Sequence, residues 1–235
     1  MAGKGSRFVV EGYTKPKPFI DMNGQPMIVR VLDNLQYPKA SYILIAQKQH
    51  MEAERELIDR ISQIYNVTWV TVDQLTEGTA CTILFARDKI NNKSPLLIAN
   101  SDQLVDGGIK HFVEKANERN LDGSILCFKD EKIDSKWSFA KVVDGYVKEV
   151  REKEPISDIA TVGIYYFARG KDFVDSAIDM IVRNERTNNE FYTCPVYNYM
   201  LKKQFKIGIE MIKRAAMHGI GTPKDLEIYL RKYHA

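Results

Sequence analysis

Three short apolar runs set the strongest limit on what this 235-residue chain can fold into. They are residues 42–46 (YILIA), 67–72 (VTWVTV) and 96–99 (LLIA), and each reads as a strand. Between them the apolar spacing becomes helical. Met27, Ile28, Val31, Leu32 and Leu35 mark one helix. Leu57, Ile58, Ile61 and Ile64 mark another over 50–65, with Glu52, Glu54, Arg55 and Glu56 as its solvated side. A loop over 74–82 leads into a helix that ends at Ile90. Strand alternating with helix predicts a mostly parallel sheet covered on both faces.

After residue 120 the pattern changes. Residues 122–129, 139–143, 146–150 and 160–167 read as strands with short connections, and Asp144-Gly145 is a hairpin signal. Helices are expected over 173–182 and from Glu190 to Leu201, with a strand over 205–212 between the second of these and the last helix. Thr222 caps that helix, over 223–233, with Pro223 in its first turn. The expectation is one domain over 1–235, with a nucleotide-binding half over 1–120 and an acceptor-binding half over 121–235.

Net charge is +3 and the basic residues form no single run, so nucleic acid is not an expected partner. Cys81, Cys127 and Cys194 are odd in number and widely spaced, which fits free thiols in a reducing compartment. No apolar run approaches the ~18 residues of a membrane span, and no signal peptide is visible. A cytoplasmic protein without a membrane partner is expected.

The chemistry concentrates in residues 1–20, MAGKGSRFVVEGYTKPKPFI. Gly3 and Gly5 allow consecutive backbone N–H groups to converge on an anion. Arg7 can fork onto phosphate oxygens. Taken alone, this is a surface turn or a phosphate loop. Lys17 stands between Pro16 and Pro18, which fix the backbone, reject a helix and present the lysine from a stiff extended segment. Lys15 reads as solvated surface. Only Met1 and Ala2 precede Gly3, although such a loop ordinarily follows a buried central strand, so the first strand is expected to be missing. Asp21 to Pro26 reads as a turn tipped by Asn23-Gly24. Asp102 follows the third apolar run, where a carboxylate stands at the carboxyl edge of a parallel sheet as a metal ligand, or else caps a helix. Asp106 suits the cap better.

Set in order, these motifs resemble the sugar-phosphate nucleotidyltransferases. The opening Gly-x-Gly-Ser-Arg turn stands as Gly3 to Arg7, and Pro-Lys-Pro as Pro16-Lys17-Pro18. The metal aspartate stands as Asp102, the central Glu-Lys as Glu152-Lys153, and Gly-x-Tyr as Gly163-Ile164-Tyr165. The closing Gly-Thr-Pro-x-Asp-Leu stands as Gly221 to Leu226. The opening Met-Ala-Gly-x-Gly-Ser-Arg-Phe and Thr76-Glu77-Gly78 look like the branch found in capsule and lipopolysaccharide biosynthesis.

The resemblance implies an α/β, doubly wound, Rossmann-like fold of the GT-A nucleotidyltransferase type, with an inserted antiparallel portion for the acceptor. It implies transfer of a nucleotidyl group from an NTP to a sugar phosphate, with Mg²⁺ as cofactor and pyrophosphate as leaving group. Ala2, Gly3, Lys4, Gly5, Ser6, Glu77, Gly78, Thr79 and Ser101 would bind the nucleotide. Arg7, Lys17 and Asp102 would be catalytic, with Asp102 holding the metal. Glu152, Lys153, Gly163 and Glu190 would bind the acceptor. Polyol, choline or amino-acid phosphates are alternative acceptors, and the resemblance allows a homo-oligomer. Two other classes are a GT-A glycosyltransferase, disfavoured because Asp102-Gln103-Leu104 is not Asp-x-Asp, and a non-catalytic nucleotide-binding homologue. The family's second metal aspartate falls at Gly219, beside His218.

Overall fold

The computed structural model describes residues 1–3 and 5–233. In chain order the elements are α1 (Ser6–Val10), a 3-10 turn (Lys17–Phe19), α2 (Met27–Asn34), β1 (Tyr42–Gln47), α3 (Lys48–Ala53), α4 (Arg55–Ile64) and β2 (Val67–Val72). Then come α5 (Thr79–Leu84), α6 (Arg87–Ile90), β3 (Leu96–Ala99), β4 (Gln103–Val105), α7 (Lys110–Glu118), β5 (Gly123–Lys129), β6 (Ser138–Val143) and β7 (Tyr146–Glu152). The remainder is β8 (Ile159–Phe167), α8 (Gly170–Val182), α9 (Val196–Lys202), β9 (Ile207–Ile212), a 3-10 turn (Arg214–Ala216), β10 (Met217–Gly219) and α10 (Pro223–Tyr233).

The chain forms two compact units. The first takes residues 1–75, 101–110 and 217–235, and the second takes 76–100 and 111–216. The C-terminal segment thus belongs with the first unit.

In the first unit β1 and β2 pair in parallel, from Tyr42 opposite Val67 to Gln47 opposite Val72. Its core collects Phe8, Phe19, Ile20, Met22, Met27, Ile28, Leu32, Ile61, Leu104, Ile220 and Leu226. These core residues position the loops. Phe8 anchors α1, Phe19 the 3-10 turn, Leu104 the segment after Asp102, and Ile220 the segment before Gly221. Burying one such side chain contributes about 1.5–3 kcal/mol, enough to fix a short loop that has little structure of its own. The Asn23-Gly24 turn is as expected, with φ of 54° and 86°, and its Gly24 N–H donates to the Asp21 carboxylate at 3.0 Å.

The second unit is built on six strands in the order β3-β8-β5-β9-β7-β6. Its parallel pair is β5–β9; β3–β8, β5–β8, β6–β7, β6–β8 and β7–β9 run antiparallel. The expected mostly parallel sheet is thus corrected to a mixed one. The physical reason lies in the connections. A two-residue turn such as Asp144-Gly145 (φ 51° and 76°) joins β6 to β7 and permits only an antiparallel pair, whereas parallel neighbours need a crossover. The third apolar run, β3, is half-buried and antiparallel to β8, not a parallel strand.

Three smaller expectations also change. The helix over 50–65 breaks at Glu54 (φ −118°, ψ 34°), whose carboxylate lies 3.6 Å from exposed Lys15. The helix expected from Glu190 starts only at Val196. Asp106 does not cap a helix; it bonds His218 Nε2 at 2.8 Å.

Candidate active site

The first unit carries the opening turn, Lys17 and Asp102. Gly5 has φ +61° and ψ 20°, a left-handed conformation that side chains resist, and a Cβ there would stand 3.3 Å from Lys17 Cβ. The glycine thus lets the turn close onto the lysine. α1 begins at the next residue, which the sequence did not suggest. Ser6 and Arg7 are exposed while Phe8 is buried and packs edge-on against Tyr13 at 5.1 Å. Ala2 is buried, and its carbonyl accepts a 2.8 Å bond from Gln47 at the end of β1. Among the described residues, nothing beyond its chain neighbours lies within 4 Å of a Cβ position at Gly3. Lys4 lies outside the described residues. Ser6, Arg7, Val10, Glu11, Thr222, Pro223 and Lys224 line an open cleft of about 400 Å³.

Lys17 does not sit on an extended segment. Only Pro16 is extended (φ −54°, ψ 138°); Lys17 opens a 3-10 turn, and Pro18 fits its second position because no backbone donor is needed there. The effect is the one expected of the two prolines: the lysine is held, and its ammonium is ion-paired with the Asp102 carboxylate. Both side chains keep about a quarter of their surface exposed (21% and 25%). Ser101 is half-buried in the turn before Asp102. The Ile220 N–H donates to the Asp102 carbonyl at 2.9 Å, and a Cβ on Gly221 would meet Asp102 Oδ2 at 2.6 Å. A glycine at 221 is what leaves the carboxylate its space. Gly219 lies opposite Gln103 in the β10–β4 pair, with nothing among the described residues within 4 Å of a Cβ there. Beside it, His218 bonds Asp106 and Tyr233, the latter at 3.0 Å, and packs against the Tyr229 and Tyr233 rings. Its Nε2 is thus engaged by Asp106 and Tyr233.

Among the described residues no three His, Cys, Asp or Glu side chains cluster as a metal cage. A divalent ion of the Mg²⁺ kind needs none. It takes one or two carboxylates and completes its shell with phosphate and water. Asp102 can supply the carboxylate of that form of site.

The second unit holds the other expected residues. Gly78 has φ +118° and ψ 173°, and a Cβ would stand 2.4 Å from the Phe191 carbonyl oxygen. The Phe191 N–H donates to Glu77 O at 2.7 Å, and the Ala80 N–H donates to Phe191 O at 2.9 Å. Thr79 Oγ1 accepts from Thr193 N–H at 3.0 Å and lies 2.9 Å from its hydroxyl. Glu77 is paired with Arg186 at 2.7 Å. The loop is therefore tied along its length to residues 186–193.

Glu152 and Lys153 end the β6–β7 hairpin. The register sets Ser138 opposite Glu152, and the Ser138 hydroxyl donates to its carboxylate at 2.5 Å. Lys153 is left-handed (φ 56°), its N–H donates to Trp137 O at 3.0 Å, and its ammonium donates to the Tyr192 hydroxyl at 2.5 Å. Glu190 is exposed in a turn closed by paired backbone bonds with Thr187, and its carboxylate stands near Tyr192. Gly163 (φ 87°) lies within β8, where its carbonyl accepts from Asn100 N–H at 3.1 Å. Glu152, Lys153 and Glu190 thus come together around Tyr192. Ser138, Arg186 and Tyr192 are contacts that motif reading missed. The Phe-Tyr-Thr stretch gave no signal except its aromatic content, which reads equally as the start of a helix.

Burial holds the Glu152 carboxyl above the usual glutamate range, against the opposing pull of Ser138 and Lys153. A raised carboxyl binds its proton more tightly folded than unfolded. Its stabilisation is complete below the ordinary glutamate pKa and is lost as pH rises through the raised value. Glu152→Gln is therefore expected to raise the melting temperature at about pH 8 and leave it unchanged at about pH 4. Thermal scans at both values check this; an equal shift at both pH values would be a packing effect instead.

The whole fold has close counterparts among nucleotide-sugar enzymes. It matches the crystal structure of a nucleoside-diphosphate-sugar pyrophosphorylase from Vibrio cholerae RC9 with a TM-score of 0.82, 24% identity and 98% of each chain covered. It matches apo UDP-glucose pyrophosphorylase with a TM-score of 0.79 and 16% identity over 99% of this chain and 95% of that one. A sequence model of the nucleotidyl transferase family matches residues 1–226, and the chain belongs to that family. Its relatives are sugar-phosphate nucleotidyltransferases. UTP–glucose-1-phosphate uridylyltransferase AglF of Haloferax volcanii is 25% identical over 79% of this chain and 83% of its own length. Mannose-1-phosphate guanylyltransferase catalytic subunit beta of Drosophila pseudoobscura pseudoobscura is 23% identical over 71% of this chain. Bifunctional protein GlmU of Methanococcus maripaludis is 22% identical over 88% of this chain. The chain spans about half the length, 46%, of each of the last two.

Proposed function

We propose that the chain transfers a nucleotidyl group from an NTP to a sugar 1-phosphate and releases pyrophosphate. The observation that carries this reading is the convergence of three separate motifs on one contact: Gly5 packs on Lys17, Lys17 pairs with Asp102, and Gly221 leaves space for the Asp102 carboxylate. A surface turn has no use for that arrangement.

Gly3 to Ser6 and Arg7 hold the triphosphate, with Arg7 on the leaving pyrophosphate. Lys17 offsets charge as it develops at the α-phosphoryl group. Glu77 to Thr79 contact the base, and Ala2 and Ser101 line the nucleotide. Glu152 accepts a hydroxyl of the acceptor and Lys153 binds its phosphate, with Gly163 and Glu190 beside them. The acceptor's phosphate oxygen attacks the α-phosphorus, the bond to the β-phosphate oxygen breaks, and pyrophosphate carries away the electron pair. A phosphate monoester needs no general base, so positioning and charge neutralisation suffice. Mg²⁺ on Asp102 would supply further neutralisation when bound.

On this reading residues 1–235 act as one domain, most nucleotide contacts lying before residue 120 and the acceptor contacts after it. The opening motif variant and the Thr76-Glu77-Gly78 loop support a place in surface-polysaccharide precursor synthesis. Free Cys81, Cys127 and Cys194 support a reducing, cytoplasmic setting, and no helix among the described residues is long and apolar enough to cross a membrane.

The test is pyrophosphate release from the purified protein with Mg²⁺, each of the four NTPs and a panel of sugar 1-phosphates, with polyol, choline and amino-acid phosphates as alternatives. At least one sugar 1-phosphate should support release. NTP binding without release from any pair would favour a non-catalytic homologue.

A further inference from the structure

We infer that Tyr192 is a positioning residue for the reaction: it holds the Lys153 ammonium, and its own segment is fixed by the loop Glu77 to Thr79. This rests on the placement of the acceptor phosphate at Lys153.

Residues 191–193 alternate in direction. Phe191 and Thr193 are buried, and both are bonded to the loop: Phe191 N–H to Glu77 O at 2.7 Å, Ala80 N–H to Phe191 O at 2.9 Å, and Thr193 N–H to Thr79 Oγ1 at 3.0 Å. The Arg186 guanidinium adds a second tie, pairing with Glu77 while lying 4.1 Å from the centre of the Phe191 ring. Tyr192, between them, is only half-buried and turns to Lys153. Its hydroxyl accepts from the lysine ammonium at 2.5 Å, with the ammonium 4.5 Å from the ring centre. The hydroxyl also lies in reach of the Glu190 carboxylate, to which it can donate.

A lysine is a compact charge on four rotatable bonds, and without a fixed partner it samples many positions. Here one hydroxyl and one ring face limit it. The backbone that carries them is the strip bonded to the base-contacting loop. Order in that loop is thereby transmitted to the lysine through one residue.

The test compares wild type with Tyr192→Phe, which keeps the ring and removes the hydroxyl. In the free protein, acetic anhydride labelling of Lys153, read by mass spectrometry against exposed Lys141, should speed up about threefold or more, since one hydrogen bond is lost. Thr193→Val, which cuts the tie to Thr79, should produce a smaller increase of the same sign. With the most active substrate pair, KM for the acceptor phosphate should rise about three- to tenfold in Tyr192→Phe, with KM for the NTP and the melting temperature unchanged. Unchanged Lys153 labelling in Tyr192→Phe overturns the proposal by itself. So does an unchanged acceptor KM when Lys153→Ala raises it. If Lys153→Ala also leaves the acceptor KM unchanged, the acceptor site is misplaced and the functional reading fails instead.

Discussion

Lys17→Ala is expected to lower the turnover number about 10²–10³-fold, the usual effect of removing one charge-stabilising donor from a transfer site. The lysine is held from three sides: by Pro16 and Pro18 in the backbone, by Gly5 against its Cβ, and by the Asp102 carboxylate at its tip. Such holding matters most for charge that appears only in the transition state, so the loss should fall on kcat and kcat/KM together. Stability should change little. The ion pair is a quarter exposed at each end, and solvent-screened pairs contribute about 0–1 kcal/mol. Steady-state kinetics and a thermal melt check both parts. A rise confined to the KM for NTP would reduce Lys17 to a binding group.

The second large effect is structural. Gly78→Ala is expected to destabilise the chain by about 2–5 kcal/mol, lowering the melting temperature by about 5–15 °C. Two costs add. The conformation, φ +118° and ψ 173°, is one that only glycine adopts without strain, and the new methyl would stand 2.4 Å from a backbone oxygen of Phe191. Backbone cannot move aside as a side-chain tip can, and here it is fixed by two hydrogen bonds to the same loop. A variant that survives should lose nucleotide affinity, because the loop proposed to contact the base must shift to admit the methyl. Calorimetry of Gly78→Ala beside Gly3→Ala, where nothing among the described residues lies within 4 Å, separates these two costs from the mere loss of a glycine.

The strands and most helices were legible because local patterns specify them. Apolar runs gave β1, β2 and β3, helical spacing gave α2, and Asp144-Gly145 gave a hairpin whose register sets Ser138 against Glu152. The Thr222 cap is also present: its hydroxyl accepts from Asp225 N–H at 3.1 Å. What failed depended on partners far along the chain. β4 and β10 are three residues each and exist because they pair with one another. Asp106 looked like a helix cap but is claimed by His218, 112 residues away. The stretch Glu190 to Tyr192 looked like the first turn of a helix, yet the Glu190 backbone pairs with Thr187 and the Phe191 backbone with Glu77 and Ala80. The sheet direction was misjudged for the same reason. Alternating strands and helices hold up to residue 99, and hairpin connections take over beyond it.

The site divides along the same line. Residue type and order sufficed to bring Gly5, Lys17, Asp102 and Gly221 forward as candidates, through a glycine-rich turn, a lysine between prolines, a carboxylate after an apolar run and a Gly-Thr-Pro cap. Tyr192, Arg186 and Ser138 are common residues made significant only by what faces them.

The most direct test of nucleotidyl transfer follows the label on the NTP. With Mg²⁺ and the active acceptor, NTP labelled at the α-phosphate should deliver its label to the acceptor-containing product, and NTP labelled at the γ-phosphate should deliver its label to pyrophosphate. Label from the γ-phosphate on the acceptor would mean that attack falls on the terminal phosphorus. Lys17 and Asp102 would then serve a phosphoryl transfer, contradicting the account.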